Sequence, residues 1–408
     1  MITFRAETGK LNLPPVLPGG QRASSLAAAS GHRYTNVYVA LYVEVTRSRS
    51  REPAGNLPRA MKILFDHPLP FALAHGGFQT QIEQTKAALQ GIGVEVEWLR
   101  WWDSAQTGDI IHYFGRPLSG YVKFAQQKGM GVVVSELLTG PGSRPAHLRR
   151  AQKLIMRIAK AVLPNEFTLK LAWDTYQTAD AFVALTTWEK QLMTELFDAD
   201  PARVQVIPNG VEGVFFSDPD RPIIRNGTHL VCTATITERK RVVELARAAV
   251  IAKVPVQIIG KPYSEADPYY REFLNIADGS AGIVQYKGPV PDREQLAEIY
   301  QRAPGFVLLS AMESLSLSAL EAAASGCPLL LSDLPWARAS FGSGASYVAV
   351  TGTTATADAL HLFHSSLPQA PKPALPASWI KVAEALRALY AALRSGRIPP
   401  TGVNPGSI

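Results

Sequence analysis

Cysteine is scarce in this chain: there are two in 408 residues, Cys232 and Cys327, each inside an apolar, strand-like run. No Cys-x-x-Cys occurs, so neither a disulfide framework nor a zinc site is suggested, which fits a reducing, cytoplasmic setting. Long apolar runs are missing as well. No stretch reaches the roughly 18 consecutive apolar residues that a spanning helix needs. Charge is sparse, at 18% of residues against a hydrophobic content of 47%, which describes a globular chain with little room for extensive disorder. The net charge of +7 is concentrated, because residues 1–60 hold eight Lys or Arg against three Asp or Glu. The body that follows is close to neutral, so the basic balance is no argument for nucleic-acid binding. No Gly-x-Gly-x-x-Gly follows an apolar strand, which ranks a nicotinamide-dependent dehydrogenase last among layered folds.

What is present begins in earnest at Met61. Residues 1–60 mix Pro-Gly turns (LPPVLPGG), an Ala-Ser patch and an Arg-Ser run (TRSRSREP). That composition resembles a transit peptide but reads more simply as an extension with no fold of its own. From MKILFDHPLP onward, short apolar runs alternate with helix-like stretches: KILFDH, a helix from Phe78 to about Gln90, VEVEWL, DIIHYFG, GVVVSELL, AFVALTTW and VQVIPNG. A segment rich in Gly, Pro, Asn and Asp interrupts the rhythm before His229. The pattern then resumes as HLVCTATI, VQIIG, GIVQYKG, GFVLLS and CPLLLSD, each followed by helix or turn. Such alternation predicts α/β architecture with parallel sheets covered on both faces. We expect an extension over 1–60, one Rossmann-like domain over 61–222, a second over 223–375, and a terminal helix over 376–396.

Ligands of open parallel sheets bind outside the carboxyl ends of strands, where loops lead into helix N-termini. Three such places carry notable residues. His75-Gly76-Gly77 precedes the first helix. Paired glycines there permit close backbone approach to an anion, or simply make a loop. Arg239, Lys240 and Arg241 follow the strand HLVCTATI and stand where a helix begins. Cations are disfavoured at that end, so they suggest an anionic ligand, or a solvated turn. In SAMESLSLSALEAA, Glu313 and Glu321 lie eight residues apart. Glu321 completes Ser318-x-x-Glu321, a capping box that accounts for it structurally. Glu313 has no such local reason. The spacing alone is weak, since Glu44 and Glu52 repeat it. His112, ending DIIH, reads equally as a cleft residue or a satisfied core histidine.

Several pieces in order, VQVIPNGV, ERKR, VQYKGPVPDREQLAEIYQRA and FVLLSAMESLSLSALEAAASGCPLLLSDLPWA, resemble the retaining glycosyltransferases of family 4. The likeness runs from residue 61 to about 395. The resemblance implies the GT-B fold, two Rossmann-like domains facing a cleft with the terminal helix crossing back to brace the first, and transfer of a sugar from a nucleotide-sugar donor to a carbohydrate or lipid-linked acceptor with retention of configuration. It implies that Glu313 lies near the donor sugar and pyrophosphate and that Glu321 holds the ribose. The amides of Leu315, Ser316 and Leu317 would meet the phosphates together with Lys240, and Gly76 and Gly77 would approach them across the cleft. Lys240 and helix N-termini, rather than a metal, would carry the leaving-group charge; no cofactor is implied beyond the nucleotide sugar as co-substrate. The family usually places an Arg shortly before the Lys, where this chain has Ala234 and Thr235. That passes phosphate contact to Arg239 or Arg241. Other departures are Ser314 and Ser316 flanking Leu315, and Leu137 where a His often ends the strand.

Other readings differ in testable ways. A sugar-nucleotide epimerase or a phosphorylase would share the fold, the latter betrayed by a pyridoxal imine spectrum. A non-catalytic nucleotide-sugar-binding protein would bind donor without turnover. Separately, Arg149, Arg150, Lys153, Arg157 and Lys160 share one side of the helix-like segment RPAHLRRAQKLIMRIAKAVLP, opposite Leu154, Ile155, Ile158 and Val162. Either the apolar side packs on the first domain's sheet, or the helix makes a peripheral contact with an anionic membrane.

Overall fold

The computed structural model describes residues 61–68, 70–71, 76–163, 170–217 and 224–396. Within them the first lobe runs β1 (Lys62–Asp66), α1 (Gly77–Gly91), β2 (Glu95–Trp98), β3 (Ile110–Phe114), α2 (Ser119–Gln127), β4 (Gly131–Ser135), α3 (Thr139–Gly142), α4 (Ala146–Val162), α5 (Thr175–Thr178), β5 (Ala181–Ala184), α6 (Thr187–Phe197) and β6 (Val204–Val206). The second lobe runs β7 (Leu230–Thr233), α7 (Val242–Ala252), β8 (Val256–Ile259), α8 (Pro268–Gly279), β9 (Val284–Gly288), α9 (Arg293–Arg302), β10 (Phe306–Leu308), α10 (Leu317–Ala324), β11 (Leu329–Ser332), α11 (Pro335–Phe341), β12 (Ser346–Val348) and α12 (Thr353–Ser365). Helix α13 (Trp379–Arg394) closes the described chain.

Each lobe is built on a six-stranded sheet, ordered β2-β1-β3-β4-β5-β6 in the first and β12-β11-β10-β7-β8-β9 in the second. All ten strand pairings are parallel. Every residue of β3, β5, β10 and β11 is buried. Continuous apolar strands of this kind need a helical layer on both faces. The strand order decides where the site falls. In the second sheet β7 and β10 are neighbours from which the chain winds in opposite directions, so the loops after them share one crevice. Residues 234–241 and 309–316 are those loops.

Helix α13 returns to the first lobe. Its Trp379, Val382, Ala383, Leu386, Leu389 and Tyr390, spaced for one helical stripe, are buried against Ile63, Phe65, Ile82 and Leu89. The chain leaves and re-enters the first lobe at one joint. Val211 N donates to Ala377 O (2.9 Å) and Trp379 N to Val211 O (3.3 Å). Beside it, a Cβ on Gly210 would stand 2.6 Å from the Trp379 backbone, so only glycine fits there. The packing changes lobes earlier than the boundary expected at 222/223. Val211 and Phe215 already sit in the second lobe's core, because Phe215 fills a site against Tyr300 that the Gly- and Pro-rich composition around it conceals.

Helix α4 corrects the packing expectation for its segment. Met156 is its buried residue, whereas Leu154, Ile155, Ile158 and Val162 face solvent. The cationic side turns inward at two points: Arg149 lies 4.6 Å over the Trp188 ring, and Lys153 pairs with Asp198 at 3.2 Å. Both cysteines are free and buried, and burial pushes their thiols up, Cys232 to about 12 and Cys327 to about 11.

Candidate functional site

A cleft of about 570 Å³ opens between the lobes where the carboxyl ends of both sheets meet. From the first lobe come the start of α1 and the residues after β4. Gly76 adopts φ +132°, which L side chains rarely tolerate, and turns the chain into α1. The first-turn amides of α1 have no carbonyl one turn back within the helix, and Gly76, Gly77 and Phe78 line the cleft. From the second lobe, Ser316 starts α10 and its Oγ accepts from Ala319 N at 3.4 Å. A Cβ on Gly77 would lie 3.8 Å from a Leu317 methyl. Two helix N-termini from different lobes therefore converge, each bearing partial positive charge.

The loops after β7 and β10 meet as their order in the sheet requires. Ala311 N donates to Arg239 O at 2.7 Å. Lys240 Nζ donates to Glu313 Oε1, while Arg239 Nη1 donates to Glu313 Oε2 (3.3 Å) and to Met312 O (3.1 Å). Glu313 is buried, so this cluster is a desolvated carboxylate held by two cations. A second cluster lies deeper. Arg293 Nη2 donates to Glu321 Oε1 (2.5 Å) and its Nε to Glu212 Oε2 (3.0 Å), with Tyr300 OH on Glu321 Oε2 at 3.3 Å. Burial pushes the Glu321 carboxyl up and Arg293 opposes the shift. Lining the cleft are four cations, Arg239, Lys240, Lys261 and Arg293, against the two carboxylates Glu313 and Glu321. The balance favours an anionic occupant.

The structure brings together Gly76, Gly77, Arg239, Lys240, Glu313, Leu315, Ser316, Leu317 and Glu321, all on the cleft wall. His75 lies outside the described residues. Arg241 is not on the wall; it takes φ +52° and turns the chain into α7. His112 is a core residue rather than a cleft one. Its Nδ1 meets Tyr390 OH at 2.6 Å and its Nε2 meets Ser135 Oγ at 2.7 Å, and burial lowers its pKa to about 3. Glu321 does not cap α10 either: Ser316 is the N-cap, and the carboxylate spends both oxygens on Arg293 and Tyr300.

Arg293 was missed in the sequence, although it carried the signal used for Arg239 and Lys240, a cation in the first turn of a helix. Asp292 caps α9 through Glu294 N (2.9 Å), so Arg293 opens it. Glu189 was missed too. Buried, with its carboxyl pushed up by that burial, it accepts from Leu138 N (3.0 Å) and Leu185 N (2.8 Å) and so ties together the ends of β4 and β5. Thr139 Oγ1 meets Ser314 Oγ across the cleft at 2.8 Å. Two Asp-x-Asp sequences also occur. Asp198 holds Lys153 and Asp200 caps the turn Pro201–Arg203, neither on the cleft wall. The other, at 218–220, lies outside the described residues.

The paired sheets and the cleft between them define a GT-B protein. Solved structures share the fold: sucrose-phosphate synthase from Thermosynechococcus elongatus (16% identity, TM-score 0.61, 82% of this chain and 100% of that one) and Anabaena HepE in complex with UDP (14%, 0.55, 83% and 96%). Within that class, residues 227–364, most of the second lobe, match the family described as Glycosyl transferases group 1. A D-inositol 3-phosphate glycosyltransferase from Actinosynnema mirum is 29% identical over 202 residues, 45% of this chain and 48% of that protein. The chain thus spans about half the length of the curated relative it matches.

Proposed function

We propose that this protein is a glycosyltransferase that moves a sugar from a nucleotide-sugar donor to an acceptor hydroxyl, with retention of configuration and without a bound metal. One observation carries the reading: two helix N-termini, from opposite lobes, converge with Lys240 and Arg239 on a cleft whose charge balance is positive. A diphosphate is the ligand such a site suits. Lys240 has three ammonium protons and directs one to Glu313, leaving donors for a phosphate oxygen. The amides around Leu315–Leu317 and Gly76–Gly77 take the remaining oxygens. Glu321, held by Arg293, accepts from ribose hydroxyls deeper in the cleft. Glu313 stands by the sugar.

In this reading the bond from the anomeric carbon to the phosphate oxygen breaks and the acceptor oxygen bonds the same face of that carbon. The acceptor's proton passes to the departing phosphate. The fixed cations and helix ends stabilise the charge that develops on the leaving group, the role a metal fills elsewhere. The similarity to Anabaena HepE, solved with UDP, makes uracil the first base to try.

The test is thermal stabilisation of the full chain by UDP-, GDP- and ADP-sugars, because a ligand that binds only the folded state raises the midpoint. One base should stand out, and turnover with that donor should persist in EDTA. Absence of any shift at millimolar nucleotide and nucleotide sugar overturns the reading. Donor binding without transfer or donor hydrolysis would favour the non-catalytic alternative.

A further inference from the structure

A helix on the surface of a soluble domain turns its apolar stripe inward. Helix α4 does the reverse. At about 100° per residue, Leu148, Ile155 and Val162 form one row and Leu154 and Ile158 the next. Their exposures are 49, 64, 75, 59 and 53% in that order. Five large aliphatic side chains in register over a helix of 17 residues are not a scatter of surface apolar groups. Arg150 and Arg157 border the Leu154 edge of the stripe and are exposed, Lys160 is exposed on the far side of the helix, and the helix contains no acidic residue. Arg149 and Lys153 are occupied by Trp188 and Asp198, so of the cationic row Arg150 and Arg157 are the two that border the outward-facing stripe.

We propose that α4 is an interfacial helix that docks the protein on an anionic lipid bilayer. The stripe of Leu148, Leu154, Ile155, Ile158 and Val162 enters the boundary between headgroups and acyl chains, Arg150 and Arg157 contact lipid phosphates, and Lys160 adds to the attraction from a distance. Charge selects this occupant. A second copy would bring the same unbalanced cations against one another. Residues 1–60, the longest stretch outside the described residues, carry eight Lys or Arg against three Asp or Glu and are repelled likewise. An anionic bilayer matches both the apolar face and its basic flank. Among the described residues no helix is long and apolar enough to cross a membrane, so attachment through α4 is peripheral. Helix α3 leads directly into α4, and its Thr139 lines the cleft, so docking turns this edge of the cleft toward the bilayer.

Co-sedimentation of the full chain with vesicles tests this, comparing phosphatidylcholine alone with a mixture containing about a third phosphatidylglycerol. Binding should require the anionic lipid and weaken about tenfold or more at high salt. The pair Ile155→Asp and Ile158→Asp should abolish it, and Arg150→Gln with Arg157→Gln and Lys160→Gln should remove its lipid selectivity. These positions are exposed, so the unfolding midpoint should not move in either variant. Depth gives an independent readout. Both native cysteines are buried, so Ile158→Cys takes an environment-sensitive dye selectively; its emission should shift to the blue on anionic vesicles. Equal behaviour on neutral and anionic vesicles, a dye that stays in water, or undiminished binding by the aspartate pair overturns the proposal. A chain dimer broken by the aspartate pair would assign the stripe to a second copy. Binding that emerges only when residues 1–60 are removed would assign it to that segment, and capture by an acidic protein without lipid binding would assign it to a protein partner.

Discussion

Lys240 and Arg293 hold the two cleft carboxylates, and their replacement should separate chemistry from stability. Lys240→Ala leaves Glu313 with Arg239, so the fold should stand while turnover drops about 10²-fold or more, the scale for losing one charge-stabilising donor. Glu313→Gln should match it in turnover assays, and normal rates in either would sink the assignment of the phosphate site. Arg293→Ala strands Glu321 in the core. Its cost should be about 2–4 kcal/mol in denaturant titration, below that of a fully buried pair because Arg293 is over a third exposed. His112 supplies a pH dependence. Its folded pKa of about 3 lies below the unfolded value of about 6.5, so the unfolded chain binds the extra proton. Its contribution is complete above pH 6.5 and lost between there and pH 3, at up to about 1.4 kcal/mol per pH unit. His112→Gln should flatten the fall of the unfolding midpoint between pH 7 and 4; an unchanged slope would mean other groups control it. Glu313, Lys240 and the paired glycines were legible because each occupies a strand-to-helix loop, where local sequence reports the chemistry. His112 was ambiguous because a polar residue in an apolar strand reads alike whether it meets a ligand or a distant Tyr390.

At the scale of elements, periodicity revealed which helices exist and nearly where they end, but not which side each turns inward. Helix α4 shows the limit: its two faces are plain in the sequence, yet only Arg149 on Trp188 and Lys153 on Asp198 decide that the cationic side faces the protein. Helix α10 shows another. Ser318-x-x-Glu321 fits a capping box, but the helix begins two residues earlier, with Ser316 as cap. Ser316→Ala should therefore cost about 0.5–1 kcal/mol, and Ser318→Ala should be nearly neutral in the same titration. The reverse ranking would restore the capping box. Strand ends are less forgiving. Gly260 closes β8 at φ +144°, and a Cβ there would lie 1.9 Å from the Ala234 carbonyl oxygen, which is backbone and cannot swing away. Gly260→Ala should lower the midpoint by many degrees, and because both residues line the cleft, it should weaken nucleotide binding with it.

The whole molecule depends unequally on its two ends. Among the described residues the first strand begins at Lys62, and the cores on both faces of the first sheet draw on it and on the strands and helices that follow. At the other end, α13 places Trp379, Val382, Leu386, Leu389 and Tyr390 in that lobe's core, against α1 and the sheet, and pairs with Val211 at the joint. At about 1.5–3 kcal/mol for each buried large side chain, these five represent roughly 10 kcal/mol. That is comparable to the 5–15 kcal/mol by which a domain is stable at all. Composition and periodicity give only a helix after a Pro-rich segment; it is the family resemblance that implies a return to the first lobe, and Gly210 against the Trp379 backbone is where the chain crosses. A chain starting at Met61 should express, melt within a few degrees of the full chain and keep its nucleotide response. A chain ending at Ala377 should lose the first lobe: a helical second lobe without cooperative two-lobe melting, or aggregation. Differential scanning calorimetry of the two truncations reads both outcomes. Melting of the Met61 chain far below the full one would make residues 1–60 part of the fold, and a native-like transition without α13 would refute its role in the core.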